Sequence, residues 1–174
     1  MIRPAAGIRL DTTTSPTTQP PPGAGSTQAA RSDIDAILTV WLDASVKAHD
    51  FIESSFWQSQ LDNMRDVYLP NSDVWVFELN AQVVGFYALH NNTLAAIFVA
   101  PQQQGRGIGK QLLNHAKQQR NELHLTVYKA NEPSCRFYRS QGFTLVREQT
   151  DSHTGHTELL LHFTAQSATR KQRR

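Results

Sequence analysis

The stretch from residue 74 to residue 128 restricts the fold more than any other part of the chain. Three β-rich runs, VWVFEL (74–79), QVVGFYAL (82–89) and TLAAIFVA (93–100), are separated only by Asn80-Ala81 and His90-Asn91-Asn92. Connections that short permit only hairpins, so the three runs predict an antiparallel meander. The third run enters a glycine-rich loop, after which Ile108, Leu112, Leu113 and Ala116 recur at helical spacing and LHLTVY (123–128) reads as another strand. Strand, loop, helix, strand is a βαβ unit, which predicts that 93–100 and 123–128 run parallel.

The flanks add helices and a hairpin. Ser32 reads as an N-cap, with Asp33 and Asp35 in the first turn and Ile34, Ile37, Leu38, Trp41 and Leu42 on one face. A second helical region spans Phe51 to Tyr68, with Phe56, Leu61, Met64 and Val67 as its apolar stripe. Asn131 caps a short helix over 133–140 that Gly142 ends, and FTLVRE (143–148) with TELLLHFT (157–164) forms a hairpin around TDSHTGH. The expected fold class is α+β: a mixed, mostly antiparallel sheet with one parallel pair, flanked by about four helices.

Residues 1–10 hold two candidates for an edge strand, Met1–Pro4 and Gly7–Leu10, and the sequence does not choose between them. DTTTSPTTQPPPGAGSTQAA (11–30) carries one charged residue and no large apolar side chain, so it cannot bury enough surface to offset its ordering entropy and reads as a flexible segment. The domain proper is 31–164, and 165–174 forms a basic tail. With 174 residues, 39% of them hydrophobic, the chain suits one domain with a sizeable core. A formal charge of +2 gives no reason to expect nucleic acid as a partner. The single cysteine, Cys135, excludes an internal disulfide framework and a thiolate metal cluster, which fits a reducing cytoplasm. No apolar run approaches the ~20 residues of a membrane span, so no membrane partner is expected. His153 and His156 in HTGH have no third ligand nearby in sequence, and His115 and His124 offer no ligand spacing with them, so no metal is expected.

The loop PQQQGRGIGK (101–110) narrows the chemistry. A Walker phosphate loop needs a glycine where Gln104 stands and Ser or Thr where Gln111 stands. A dinucleotide fingerprint needs glycine at Lys110, and no acidic residue ends the following strand. What survives is the physics those motifs share. Glycines admit close backbone approach, successive amides form a nest, and a helix starting near Gly107 aims its positive end at an anion, with Arg106 and Lys110 adding charge. That is a pyrophosphate site.

In this setting Gln104-Gly105-Arg106-Gly107-Ile108-Gly109 resembles the acyl-CoA-binding motif of the GNAT superfamily of N-acetyltransferases. AAIFVAP (95–101) is similar to the family's central strand, and NEPSCRFYRSQGF (131–143) to its Asn, helix, Phe-Tyr, Gly-Phe segment. WLDASVKAHDFI and FWQSQLDNMRDVYL further resemble the two N-terminal helices of small bacterial protein N-acetyltransferases of the YiaC type. The resemblance implies a parallel pair splayed by a bulge at the acyl-CoA site. It implies that amides of Gln104, Gly105, Arg106, Gly107, Ile108, Gly109 and Lys110 hold the pyrophosphate of acetyl-CoA. By the same resemblance Ile97, Phe98 and Val99 line the pantetheine arm, Asn131 bonds it, an amide near Val99 polarises the thioester carbonyl, and Tyr138 protonates the departing thiolate.

Amine attack on a thioester places negative charge on oxygen and then on sulfur, so amide donors and a proton source are what it requires. The acceptor amine must first lose a proton, yet TLAAIFVA contains no carboxylate. Glu78, His90, His49 and Asp50 are alternatives, and relay through ordered water is expected. His49, Asp50, Phe51 and Glu78 are the expected acceptor-binding residues, with Glu53 and Trp57 nearby. The expected reaction is acetyl transfer to a primary amine, a protein lysine first and a small-molecule amine second, by a monomer or homodimer. A non-catalytic acyl-CoA-binding module on the same fold is the alternative of another class.

Overall fold

A computed structural model describes residues 1–8 and 32–166. The flexible segment expected at 11–30 lies outside the described residues, as does most of the basic tail. Of the two edge-strand candidates the first forms, β1 (Ile2–Pro4); the second runs partly outside the described residues. The remaining elements are α1 (Ile34–Ala48), α2 (Ser54–Ser59), α3 (Leu61–Asn63), β2 (Asp73–Leu79), β3 (Gln82–His90), β4 (Thr93–Val99), α4 (Ile108–Gln119), β5 (Glu122–Tyr128), α5 (Glu132–Ser140), β6 (Thr144–Thr150) and β7 (Thr157–Thr164). They build a seven-stranded sheet in the order β1-β2-β3-β4-β5-β7-β6. The meander β2-β3-β4 is antiparallel and β4 runs parallel to β5, as the short turns and the βαβ unit require. β7 inserts between β5 and its own hairpin partner β6.

Helices cover both faces. On one, Leu112, Leu113 and Ala116 of α4 pack on Leu123, Leu125, Leu159 and Leu161 with Cys135 and Phe143. On the other, Ile37, Leu38 and Trp41 of α1 pack on Val74, Val76, Phe86 and Ala88 with Trp57.

Two local expectations need correction. The helix expected over 51–68 is broken: α2 ends at Ser59, and α3 widens into a π turn over Met64–Tyr68. The Leu69 amide donates to the Met64 carbonyl at 3.0 Å. A turn one residue wider rotates the inward face, so Leu69 is buried and Val67 is 49% exposed instead of joining the stripe. At the start of α1, Asp33 rather than Ser32 holds the cap position. Its carboxylate takes a bidentate pair from Arg3 at 2.7 and 3.0 Å and accepts from the Ala6 amide at 2.7 Å. Arg3 also donates to Glu78 at 2.7 Å, so one guanidinium pins β1 to β2 and α1.

That pairing has a pH consequence. The hydrogen bond from Arg3 outweighs partial burial and holds the Asp33 carboxyl below the ordinary Asp range. A carboxylate whose folded pKa is depressed stabilises the fold above its unfolded pKa, and the contribution disappears as pH falls through the folded value. Asp33→Asn is therefore expected to lower stability at pH 7 by about 2 kcal/mol and to flatten the acid limb below about pH 4. Urea unfolding from pH 7 down to pH 2 measures both; equal slopes for wild type and variant would show that Asp33 is not the titrating anchor.

Candidate active site

The site begins with a defect in pairing. Ala88 lies opposite Ala96, yet Leu89 lies opposite Leu94, so Ala95 is an extra residue on β4 with no partner on β3. Such a bulge bends the strand. Beyond it β4 and β5 separate: Thr93 and His124 are the one pair recorded between them, and the strands diverge towards Val99 and Tyr128. The Ala100 amide donates to the Val84 carbonyl at 2.8 Å. By the alternation of an antiparallel ladder, Phe98 and Ala96 bond to β3, while the polar backbone of Ile97 and Val99 faces the gap. The Val99 carbonyl accepts from Gln104 Nε2 at 3.0 Å, which fits that orientation.

The glycine loop closes the wide end. Gly105 and Gly107 have φ of +77° and +78°, the left-handed region that favours glycine, and Gly107 is the N-cap of α4. The first amide of this turn to find a helical partner is that of Gln111, which bonds the Gly107 carbonyl at 3.1 Å. The amides of Ile108, Gly109 and Lys110 are left for a ligand. Gln104 fixes the loop, accepting from Lys47 of α1 at 3.3 Å while donating to β4.

These pieces bound a cleft of about 760 Å³ running between β4 and β5 from the loop to Tyr128. Ile97, Phe98, Val99, Gln104, Gly105, Gly107, Ile108, Gly109, Lys110, Asn131 and Tyr138 all line it, whereas Arg106 is exposed outside the lining. Gln103 Oε1 and Trp57 Nε1 are buried without a hydrogen-bond partner, and both residues lie on the cleft wall. Unsatisfied polar atoms beside free amides and an apolar strand suit an extended ligand with an anionic end.

Asn131 caps α5, accepting from the Ser134 amide at 3.4 Å, which leaves its Nδ2 facing His49 Nε2 at 3.4 Å. His49 Nδ1 contacts the Ser45 carbonyl at 3.0 Å. A carbonyl only accepts, so Nδ1 carries the proton and Nε2 holds the lone pair. Burial lowers the pKa of His49 and keeps it neutral. Tyr138 packs between Phe137 and Phe143 on the cleft wall, and burial raises its pKa above the ordinary tyrosine value. It is protonated at neutral pH.

A second cavity of about 300 Å³ opens across β4. Trp41, Phe56, Trp57, Met64, Tyr68 and Tyr128 form its walls, with Asp151 and His153 at the β6–β7 turn. It shares Trp41, Trp57, Ala95, Ala96 and Tyr128 with the first cleft, so the two meet at the bulge. Burial disfavours the charged form of Asp151. Hydrogen bonds from the Tyr128 hydroxyl, the His153 amide at 2.9 Å and the Thr154 hydroxyl at 2.9 Å outweigh it and hold the carboxyl below the usual range.

Of the expected acceptor-side residues, His49 lines the cleft and Phe51 packs edge-on against His49, Tyr128 and His156. Asp50 is exposed, and Glu78 sits apart from both cavities with Arg3. His90, one of the alternatives for the base, bonds the Asn71 carbonyl and lines neither cavity. Sequence reasoning missed Tyr128 and Asp151. The available signal for Tyr128 was parity: Leu123, Leu125 and Val127 are buried on one face of β5, which turns Tyr128 to the other.

Residues 70–145 match the family model described as an acetyltransferase (GNAT) domain. The chain is 40% identical over 120 residues to the peptidyl-lysine N-acetyltransferase YiaC of Escherichia coli K12, covering 68% of this chain and 82% of that protein. The solution structure of apo YjaB from Escherichia coli superposes with a TM-score of 0.67 at 26% identity, covering 76% and 92% of the two chains. The PaiA N-acetyltransferase of Thermoplasma acidophilum, solved in complex with coenzyme A, shares the fold at a TM-score of 0.64 and 19% identity, with 76% and 92% covered.

Proposed function

The chain belongs to the GNAT family of N-acetyltransferases, and from that premise we propose that it transfers acetyl from acetyl-CoA to the side-chain amine of a protein lysine. The observation that carries this reading is the meeting of two cavities at the β4 bulge, one suited to each substrate. Acetyl-CoA takes the larger. Its pyrophosphate lies on the amides around Gly107, its pantetheine arm pairs with the free edge of Ile97 to Val99, and Asn131 Nδ2 bonds that arm. The Ile97 amide, the free-edge amide nearest the bulge, supports the oxyanion and Tyr138 gives its proton to the departing thiolate.

The lysine takes the smaller cavity. Aromatic walls suit its methylenes and attract its ammonium, and the Asp151 carboxylate supplies the counter-charge that draws it in. Attack is direct. Cys135 is buried, its thiol is pushed up chiefly by burial and directed at the Tyr128 carbonyl at 3.5 Å, so it is no acyl carrier. The amine's proton leaves through ordered water, and neutral His49, whose Nε2 lone pair faces Asn131 Nδ2 at 3.4 Å, orients that amide. The likeness to YiaC, whose name gives peptidyl-lysine as its acceptor, supports the choice of acceptor. A cytoplasmic setting accords with a single reduced cysteine, and no helix among the described residues is long and apolar enough to cross a membrane.

Mass spectrometry of lysine peptides and of polyamines incubated with enzyme and acetyl-CoA tests the acceptor. The peptide lysine is expected to gain acetyl; label on polyamines alone would assign a small-molecule acceptor. Asp151→Asn is expected to raise KM for the peptide about tenfold, one charge-assisted contact, with KM for acetyl-CoA unchanged. An unchanged peptide KM would remove Asp151 from acceptor binding.

A further inference from the structure

Away from both cavities, three side chains converge on one face of the sheet. Glu122 and His124 stand two apart on β5 and so share a face, and His124 lies directly opposite His162 on β7. The two imidazoles stack with centroids 4.5 Å apart and planes at 23°. His124 Nδ1 is 3.9 Å from Glu122 Oε1, and His162 Nε2 is 4.0 Å from Glu122 Oε2. All three ligand atoms lie within 4.8 Å of one another, and all three side chains are partly open to solvent. The Thr164 hydroxyl contacts His162 Nε2 at 3.2 Å.

We propose that Glu122, His124 and His162 form a binding site for a zinc-class divalent cation. Two imidazoles and a carboxylate are a borderline donor set that selects zinc, cobalt or nickel over magnesium or calcium. Bonds of about 2.0–2.1 Å in tetrahedral geometry put ligand atoms roughly 3.3 Å apart. To share one ion the two stacked imidazoles turn so that both ring planes contain it, which brings the ligand atoms from within 4.8 Å to that spacing, with Thr164 releasing His162 and water completing the fourth position.

The location gives the site a consequence. His124 is the recorded pairing partner of Thr93, and its amide donates to the Asn92 carbonyl at 2.8 Å. The cation therefore ties β5 to β7 at the closed end of the V whose open end forms the cleft. Tyr128 lies four residues further along β5, about 13 Å away at strand rise, too far for the cation to touch the reacting atoms. Its role is to brace the sheet where β4 and β5 part.

The test uses the full chain, stripped with chelator and titrated with Zn²⁺ by calorimetry and with Co²⁺ by visible absorption. One ion per chain is expected, with the intense d–d bands of tetrahedral Co²⁺ and a rise in thermal midpoint that Mg²⁺ does not give. His162→Ala and His124→Ala should each weaken binding at least tenfold, whereas His153→Ala should leave it intact. A circular dichroism spectrum like wild type for each variant, and Glu122→Gln as a third, gentler variant, separate ligand loss from misfolding. No stoichiometric binding by wild type, or binding that survives His162→Ala and Glu122→Gln but is lost in His153→Ala, would overturn the assignment.

Discussion

Tyr138→Phe is expected to lower kcat with a lysine peptide by about 100-fold, the scale of a positioned general acid, while acetyl-CoA binds with little change. The hydroxyl sits in an apolar wall and has its pKa raised by burial, so at neutral pH it holds a proton to give. Removing it leaves the ring packed between Phe137 and Phe143 and the cleft intact. Steady-state kinetics with calorimetric titration of acetyl-CoA separates the two effects. If kcat is unchanged, the thiolate draws its proton from elsewhere; if coenzyme affinity collapses with kcat, Tyr138 supports the wall and not the chemistry. With Tyr138 as the acid, a donor with a more acidic leaving thiol is expected to recover part of the loss.

The second large effect is on stability. Leu112→Ala is expected to destabilise the protein by about 3 kcal/mol, in the range for a fully buried leucine truncated to alanine. Leu112 is completely buried beneath the glycine loop, and its Cδ1 fills the space that Gly85 leaves open on β3. It thereby fixes α4 against the meander and sets where the amides of Ile108 to Lys110 point. Chemical denaturation gives the magnitude, and a loss below about 1 kcal/mol would mean that the site collapses around the missing methyls. The double variant Gly85→Ala with Leu112→Ala should be milder than the sum of the two, because a Cβ at Gly85 would sit 3.1 Å from Leu112 Cδ1.

Much of this architecture was legible before any coordinates. Short turns dictate hairpins, so the meander followed from Asn80-Ala81 and His90-Asn91-Asn92. Glycines at 105 and 107 are needed for positive φ, so the tight loop ahead of α4 followed from composition and position. The break in the helix expected over 51–68 was not legible, because a π turn keeps helical periodicity in the letters while rotating the face it presents. Val67 leaves the buried face for that reason, and Leu69 packs there.

The site divides in the same way. One contiguous segment, 97–110, carries the unpaired strand edge and the glycine loop of the larger cleft, and it is local enough for sequence to specify. Tyr128 with Asp151, the joining of two cavities at Ala95, and Glu122 with His124 and His162 depend on contacts between residues distant in the chain. Sequence by itself determined the elements, their mostly antiparallel order and the glycine loop that opens α4, because turn lengths, periodicity and glycine conformations are local properties. Only the tertiary structure decided how far β4 and β5 part, what lines the second cavity and which histidines meet. Those outcomes depend on one bulge and on β7 inserting between β5 and β6, and neither is written in any short stretch of residues.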